Sequence, residues 1–237
     1  MTRPSFIHRV SSALRLGYRL HGVRLPIVLV QRSWSLFAFR WFGAKKFKFA
    51  GRTHTYCCHH YSLDNERAVE VALARDFLLG KRGAVLEVGN VLSNYMSFPH
   101  DVVDKYEVTP GVINEDIVNF APGKKYAGII SVSTLEHVGW DEQPRNPQKI
   151  KQAISHMKTL LAPGGWMFVT IPLGYNHNLD EMLRSSASGF SEIGYLLRIS
   201  ADNRWREAQP EEAYEAKYAS PFPNANALFV GVFHKQQ

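Results

Sequence analysis

Cysteine is nearly absent from this 237-residue chain, and the two present, Cys57 and Cys58, are neighbours. Adjacent cysteines close no ordinary unstrained bridge, which excludes a secreted disulfide scaffold and makes a reducing cytoplasm the expected setting. The pair also runs straight into His59 and His60 without the spacing of structural zinc sites, so no metal centre is expected. A plain loop is the first reading of this segment, and a pocket or lid role for His59, His60 and Tyr61 is the alternative. Acidic residues are missing from the first 63 positions, which hold eleven Lys and Arg, while the remainder has seventeen basic against twenty-one acidic residues. The net charge of +7 therefore resides in the leader. Long uncharged apolar runs are missing too: Gln31, Arg32 and Arg40 interrupt residues 27–42, leaving nothing near the roughly 18 residues of a membrane-spanning helix. That stretch comes late and lacks a clean small-residue cleavage site, so no signal peptide is expected. Internal repeats and low-complexity tracts are absent.

The leader has its own pattern. Phe6, Val10, Leu14 and Tyr18 recur at intervals of four, with Arg9, Ser12, Arg15 and Arg19 on other faces, as in a basic amphipathic helix that Pro26 ends. One reading is peripheral attachment to an anionic membrane face, anchored by Trp34, Trp41 and nearby arginines. Another is that the segment packs on the core and covers a ligand site; nucleic-acid binding is a weaker third. With 45% hydrophobic residues the chain can bury a full core. The expected organisation is a basic, partly helical extension or lid over residues 1–62 and one domain over 63–237.

In that domain, Val85-Leu86-Glu87-Val88-Gly89-Asn90 reads as a buried parallel strand opening into a tight turn. Short apolar strands follow at Val102-Val103-Asp104, at residues 112–116, at 126–132 and at 166–171, the last entered through Ala162-Pro163-Gly164-Gly165. A helix is expected over about 66–79, capped by Asp64 or Asn65, and another over about 147–161 with Ile150, Ile154, Met157, Leu160 and Leu161 buried. Only seven residues, 105–111, separate the second and third strands, so the usual crossover helix is expected to be missing or reduced to a turn. Loops are expected at 140–147 and 172–177, and closing strands at 196–200 and 227–233. The fold class is α/β: a Rossmann-like, mostly parallel sheet with an antiparallel C-terminal hairpin. In such sheets ligands sit outside the carboxyl ends of the strands, where the polar residues of this chain fall.

These residues resemble the class I S-adenosylmethionine (SAM) dependent methyltransferases over about residues 65–235. Glu87-Val88-Gly89-Asn90 stands in the place of the first family motif, Asp104 in that of the acid ending strand two, and Asp116 in that of the adenine-side acid. Ser133-Thr134-Leu135-Glu136-His137 matches the segment after strand four, and Leu161-Ala162-Pro163-Gly164-Gly165 the turn into strand five. The resemblance implies SAM as cofactor, with Asp104 on the ribose diol, Asp116 or its backbone on adenine, and Glu87 holding water or the ammonium of the head group. Gly89, Asn90 and Ser133 complete the implied cofactor set. The chain departs from the family where further glycines are usual, having Val91 and Ser93, so the turn must differ in shape. A nicotinamide site would want Gly-x-Gly-x-x-Gly, of which only Gly89 is present.

Methyl transfer is an in-line displacement in which an enzyme positions the reactants and, for a hydroxyl acceptor, removes a proton. His137 is the candidate base and Glu136 the candidate group that orients it; His177 is a further candidate. Nucleic-acid amino-methylating enzymes usually carry an Asn- or Asp-Pro-Pro-aromatic segment where this chain has Ser133-Thr134-Leu135-Glu136, so nucleic acid is an unlikely partner. The chain also looks like bacterial methyltransferases of polysaccharide or lipopolysaccharide assembly, which implies O-methylation of a small-molecule, sugar or lipid-linked glycan acceptor. The alternatives are a catalytically silent binding or scaffold protein on the same fold, or a nucleic-acid methyltransferase.

Overall fold

The structure, a computed structural model, describes residues 45–59, 62–185 and 189–237. The leader helix, its tryptophan anchors, His60 and Tyr61 lie outside the described residues. From Lys46 onward the chain forms one compact unit.

That unit opens with a hairpin, β1 (Lys46–Phe49) and β2 (Arg52–Thr55), followed by α1 (Arg67–Leu78) and then β3 (Val85–Val88), β4 (Asp101–Val103), β5 (Val112–Ile113) and β6 (Tyr126–Val132). Helix α2 (Lys149–Leu160) leads without a break into the long β7 (Leu161–Pro172). After it come α3 (His177–Arg184), β8 (Glu192–Arg198), β9 (Trp205–Ala208), α4 (Pro210–Glu215) and β10 (Ala227–His234). Eight strands form one sheet in the order β5-β4-β3-β6-β7-β10-β8-β9. The first five are parallel, and β10, β8 and β9 pair antiparallel. This is the architecture that the methyltransferase resemblance implies, a mostly parallel Rossmann-like sheet closed by antiparallel strands.

Both faces of the sheet are covered, which is why its central strands read as unbroken apolar runs. On one face α1 and the hairpin pack against Ile130, Val132 and Phe168, with Phe47, Phe49 and Tyr56 closing over them. Helix α1 is buried at every position from Ala68 to Ala74, beyond the single stripe its spacing suggests, because strand β2 packs on it as well as the sheet. On the other face α2 inserts Ile150, Ile154 and Met157 beside Leu179 and Leu183 of α3. Each such side chain contributes roughly 1.5–3 kcal/mol on removal from water.

Several expected boundaries shift. The strand expected over 112–116 shortens to Val112–Ile113, which frees Asp116 for a turn. Strand β7 begins at Leu161 rather than Trp166, because Leu161 pairs with Tyr126 ahead of an irregularity in register. The closing element is a three-strand group rather than two strands: β8 starts at Glu192, β9 had no apolar run to announce it, and β10 slots between β7 and β8. Asn65 does not cap α1 in the usual way, since the N-cap residue is Glu66, although the Asn65 Oδ1 accepts from the Arg67 amide at 3.0 Å. The link between β4 and β5 carries no helix, as its length dictates. Among the described residues no helix is long and apolar enough to cross a membrane.

Candidate active site

The strand order reverses beside β3, whose neighbours are β4 on one side and β6 on the other, and a crevice of about 470 Å³ opens there at the carboxyl ends of these strands. Of the residues expected from sequence, Gly89, Asn90, Asp104, Asp116, Ser133 and His137 all line it. Glu87 and Glu136 do not.

Glu87 lies beneath the turn, fully buried. Its Oε1 accepts from the amides of Val91 and Leu92 at 2.8 and 2.6 Å, and its Oε2 meets His100 Nε2 at 2.8 Å. The other ring nitrogen of His100 faces the Phe98 carbonyl at 2.7 Å. This carboxylate therefore shapes the turn in place of the glycines that Val91 and Ser93 replace. Gly89 sits above it at φ 85°, and a Cβ there would run into the side chain of Thr134, so both conformation and space demand glycine.

Asp104 ends β4 with its carboxylate engaged by backbone: Oδ1 accepts from Tyr106 and Glu107 at 2.8 and 2.9 Å, and Oδ2 from Asn90 at 3.3 Å. A carboxylate has about four acceptor directions, so among the described residues one remains, on Oδ2. Asn90 in turn donates to Glu107 at 2.8 Å, which ties the first turn to the loop after β4.

At the far rim Asp116 is held by Lys149 at 2.5 Å and Lys105 at 3.1 Å, and the same two lysines hold Glu142 at 2.6 and 3.0 Å. Burial alone would raise the Asp116 carboxyl, but Lys149, the Val118 amide and Lys105 outweigh it and hold it below its ordinary range. Glu142 is lowered against burial by the same lysines. Sequence reading missed Lys105, Glu142 and Lys149, which are ordinary loop and helix charges until the chain folds.

The catalytic candidates fall after β6. Ser133 adopts φ 39°, unusual for a residue with a side chain, while its amide donates to the Thr170 carbonyl at 2.9 Å and its Oγ to Glu70 Oε1 at 2.5 Å. His137 is exposed at the crevice, its Nδ1 2.6 Å from Asp141 Oδ2. Asp141 is one helical turn further on, and it also accepts from the Tyr175 hydroxyl at 2.8 Å. Nδ1–H facing a carboxylate leaves the lone pair on Nε2. Asp141, at i+4, was the sequence signal that reading for a neighbour of His137 overlooked. Glu136 approaches Nε2 at 3.6 Å, beyond hydrogen-bond range, and its buried Oε2 has no partner among the described residues. His177 starts α3, its ring 6.0 Å from that of Trp140.

No family model matches the chain, and no curated protein does. Among solved structures the chain is similar to the N-methyltransferase NodS from Bradyrhizobium japonicum in complex with S-adenosyl-L-homocysteine (SAH), at 15% identity over 73% of this chain and 88% of that one, with a TM-score of 0.48. It is also similar to 1,6-didemethyltoxoflavin-N1-methyltransferase from Burkholderia thailandensis, at 14% identity over 90% of both chains and a TM-score of 0.41. A third is the sugar N-methyltransferase KedS8 from a Streptoalloteichus species, at 14% identity over 71% of this chain and 85% of that one and a TM-score of 0.36. The class of the fold is defined by the strand order of the chain itself: a doubly wound, Rossmann-like α/β sheet with its crevice at the switch point.

Proposed function

We propose that this protein is a SAM-dependent methyltransferase that methylates a hydroxyl of a small-molecule, sugar or lipid-linked glycan acceptor. The observation that carries the reading is the crevice itself, with the tight Gly89 turn on one wall and the Asp104 carboxylate keeping one acceptor direction on the other.

The residues present suit the cofactor. The Gly89-Asn90 turn brings backbone close to where the amino-acid head would lie, and the spare Oδ2 direction of Asp104 suits one ribose hydroxyl with charge assistance. Asp116 stands at the adenine end, already paired with Lys149 and Lys105, so backbone there is the better partner for a neutral base. Ser133 borders the transferring end. When bound, SAM supplies a methyl group on a positively charged sulfur.

His137 Nε2 takes the proton from the acceptor hydroxyl, and Asp141 is the positioning residue that fixes the ring and its tautomer. Support for a glycan acceptor comes from the motif resemblance, and support for a cytoplasmic, membrane-peripheral location from the cationic leader. Sedimentation with anionic liposomes, with and without residues 1–45, tests the latter; identical partitioning defeats it.

Calorimetry with SAM and SAH tests the central reading. Micromolar binding is expected, weakened about tenfold by Asp104→Ala, roughly the worth of one charge-assisted hydrogen bond. Absence of heat at any workable concentration favours a silent scaffold, a reading that the lost glycines and the heavily engaged Asp104 carboxylate keep in view. His137→Ala is expected to abolish turnover while SAH affinity stays; equal loss of both makes His137 structural.

A further inference from the structure

The turn that carries Gly89 and Asn90 into the crevice is anchored from below, and the anchor is held by a histidine that the chemistry of the crevice does not use. Glu87 Oε1 takes the Val91 and Leu92 amides at 2.8 and 2.6 Å, and Oε2 faces His100 Nε2 at 2.8 Å. Val91 lines the crevice beside Gly89 and Asn90. The side chains of His100 and Glu87 are 6% and 0% exposed, so this ion pair lies out of water.

Both ring nitrogens of His100 face acceptors. Nδ1 lies 2.7 Å from the carbonyl of Phe98, two residues back in the chain, and a carbonyl can only accept. In the bond to Glu87 one proton lies between a carboxylate and an imidazole, and it belongs on the imidazole, ordinarily the stronger base by about two pH units. The ring therefore carries a proton on each nitrogen and a positive charge. Phe98 supports that charge: its ring stacks on His100 with centroids 3.8 Å apart and planes 4° from parallel. Two neutral rings avoid a face-to-face sandwich, whereas a cation is drawn to an aromatic face.

The remaining neighbours agree. Asp101, next in the chain, adds a negative field, moderated by Lys124 at 2.6 Å and the Tyr126 hydroxyl at 2.8 Å. Burial opposes a charged His100, but the Glu87 bond, the Phe98 carbonyl and the Asp101 field outweigh it and raise the ring above the ordinary histidine range.

We propose that His100 is a positioning residue for the cofactor: as an imidazolium it clamps Glu87, Glu87 clamps the Val91 and Leu92 amides, and the turn so held grips the amino-acid end of the cofactor. Once a proton is lost, the ring can donate to one partner only. Either the Phe98 carbonyl or the buried Glu87 oxygen then faces a lone pair, and the clamp slackens. Cofactor affinity is tight below the His100 transition and weaker above it. The inference rests on the SAM-binding reading of the crevice and adds a residue outside the crevice that governs it.

The test uses the full chain with its histidine ring nitrogens labelled for magnetic resonance, His100 being identified by the signals missing from His100→Gln. Two protonated ring nitrogens are expected on His100 at neutral pH, where an ordinary histidine is mostly neutral. If the imidazolium form binds SAH about tenfold tighter, saturation with SAH raises the His100 midpoint by about one pH unit, because the coupling is reciprocal. This shift is read on the wild type and stands even if His100→Gln does not fold, His100 then being identified by its contact with the Phe98 ring. Calorimetry completes the test: from about pH 6 to about pH 9, SAH affinity is expected to fall about tenfold more in the wild type than in His100→Gln. Contributions from the SAH ammonium and from His137 at the crevice are common to both proteins and cancel. A single protonated nitrogen at neutral pH, a midpoint that SAH leaves in place, or parallel calorimetric profiles each overturns the proposal. Failure of SAH to bind at every pH strikes the methyltransferase reading as well, whereas failure of the clamp alone leaves SAH binding intact.

Discussion

Two acid clusters flank the crevice, and they are built on opposite terms. At the rim, Asp116 and Glu142 are matched by Lys105 and Lys149, two charges against two, with every carboxylate below its ordinary range. Behind Ser133 and His137, three buried carboxylates share Arg67, and both Glu66 and Glu136 are raised, by burial first. A balanced network is finished before any ligand arrives. An unbalanced one is neutralised by protons instead, because burial beside like charges makes a carboxyl hold its proton.

Removing Arg67 is the harshest way to break the contrast. Arg67→Met deletes the cation that Glu70 binds at 2.7 Å and from which Glu136 draws partial relief. Breaking a buried pair costs about 3–5 kcal/mol, and with the Arg67 side chain 21% exposed a loss of about 3 kcal/mol is expected in urea unfolding. A loss below about 1 kcal/mol would mean that solvent already screens the cluster and that the imbalance is nominal.

The pH dependence of stability separates the clusters by sign. A carboxyl raised in the folded state keeps its proton while the unfolded chain releases one near 4.5, so its contribution is full below that value and is lost as pH climbs through the folded pKa. A lowered carboxyl does the reverse, stabilising above its ordinary value and failing in acid. Glu136→Gln is therefore expected to remove a decline in stability above pH 4.5 of up to about 1.4 kcal/mol per pH unit, the limit for one proton. Asp116→Asn is expected to flatten the acid side only. Parallel pH profiles for wild type and Glu136→Gln would show that Glu136 ionises freely in the fold.

The contrast also explains what was legible in the sequence. Strands β3, β4 and β6 and the Gly89 turn announce themselves because burial on both faces writes itself as consecutive apolar residues and a positive φ as glycine. Asp104, Asp116, Ser133 and His137 follow because strand ends in a parallel sheet point to one crevice. The acid cluster was hidden: Glu66, Arg67 and Glu70 look like solvated charges at three and four spacing on an amphipathic helix. Only folding sets Glu70 against the Ser133 turn and Glu66 against the Ala225 amide, and brings the group to Glu136, 66 to 70 residues away in the chain. Glu87 was visible as a carboxylate in an apolar strand, but its commitment to the amides of Val91 and Leu92 depends on a turn shape that the missing glycines left open.

The gentlest change sharpens the rim side. Glu142→Gln removes one of two carboxylates from a network in which Lys149 still holds Asp116 at 2.5 Å and Lys105 remains partly in water, 35% exposed. Charges so placed are worth about 0.2–1 kcal/mol and are weakened by salt, since the screening length shrinks from about 10 Å at 0.1 M to about 3 Å at 1 M. A loss of about 0.5 kcal/mol at low salt that fades in 1 M sodium chloride is the expected outcome, with SAH affinity changed less than twofold. A loss above 2 kcal/mol that salt leaves untouched would make the rim as buried in effect as the Glu136 cluster, and charge balance would no longer distinguish the two clusters.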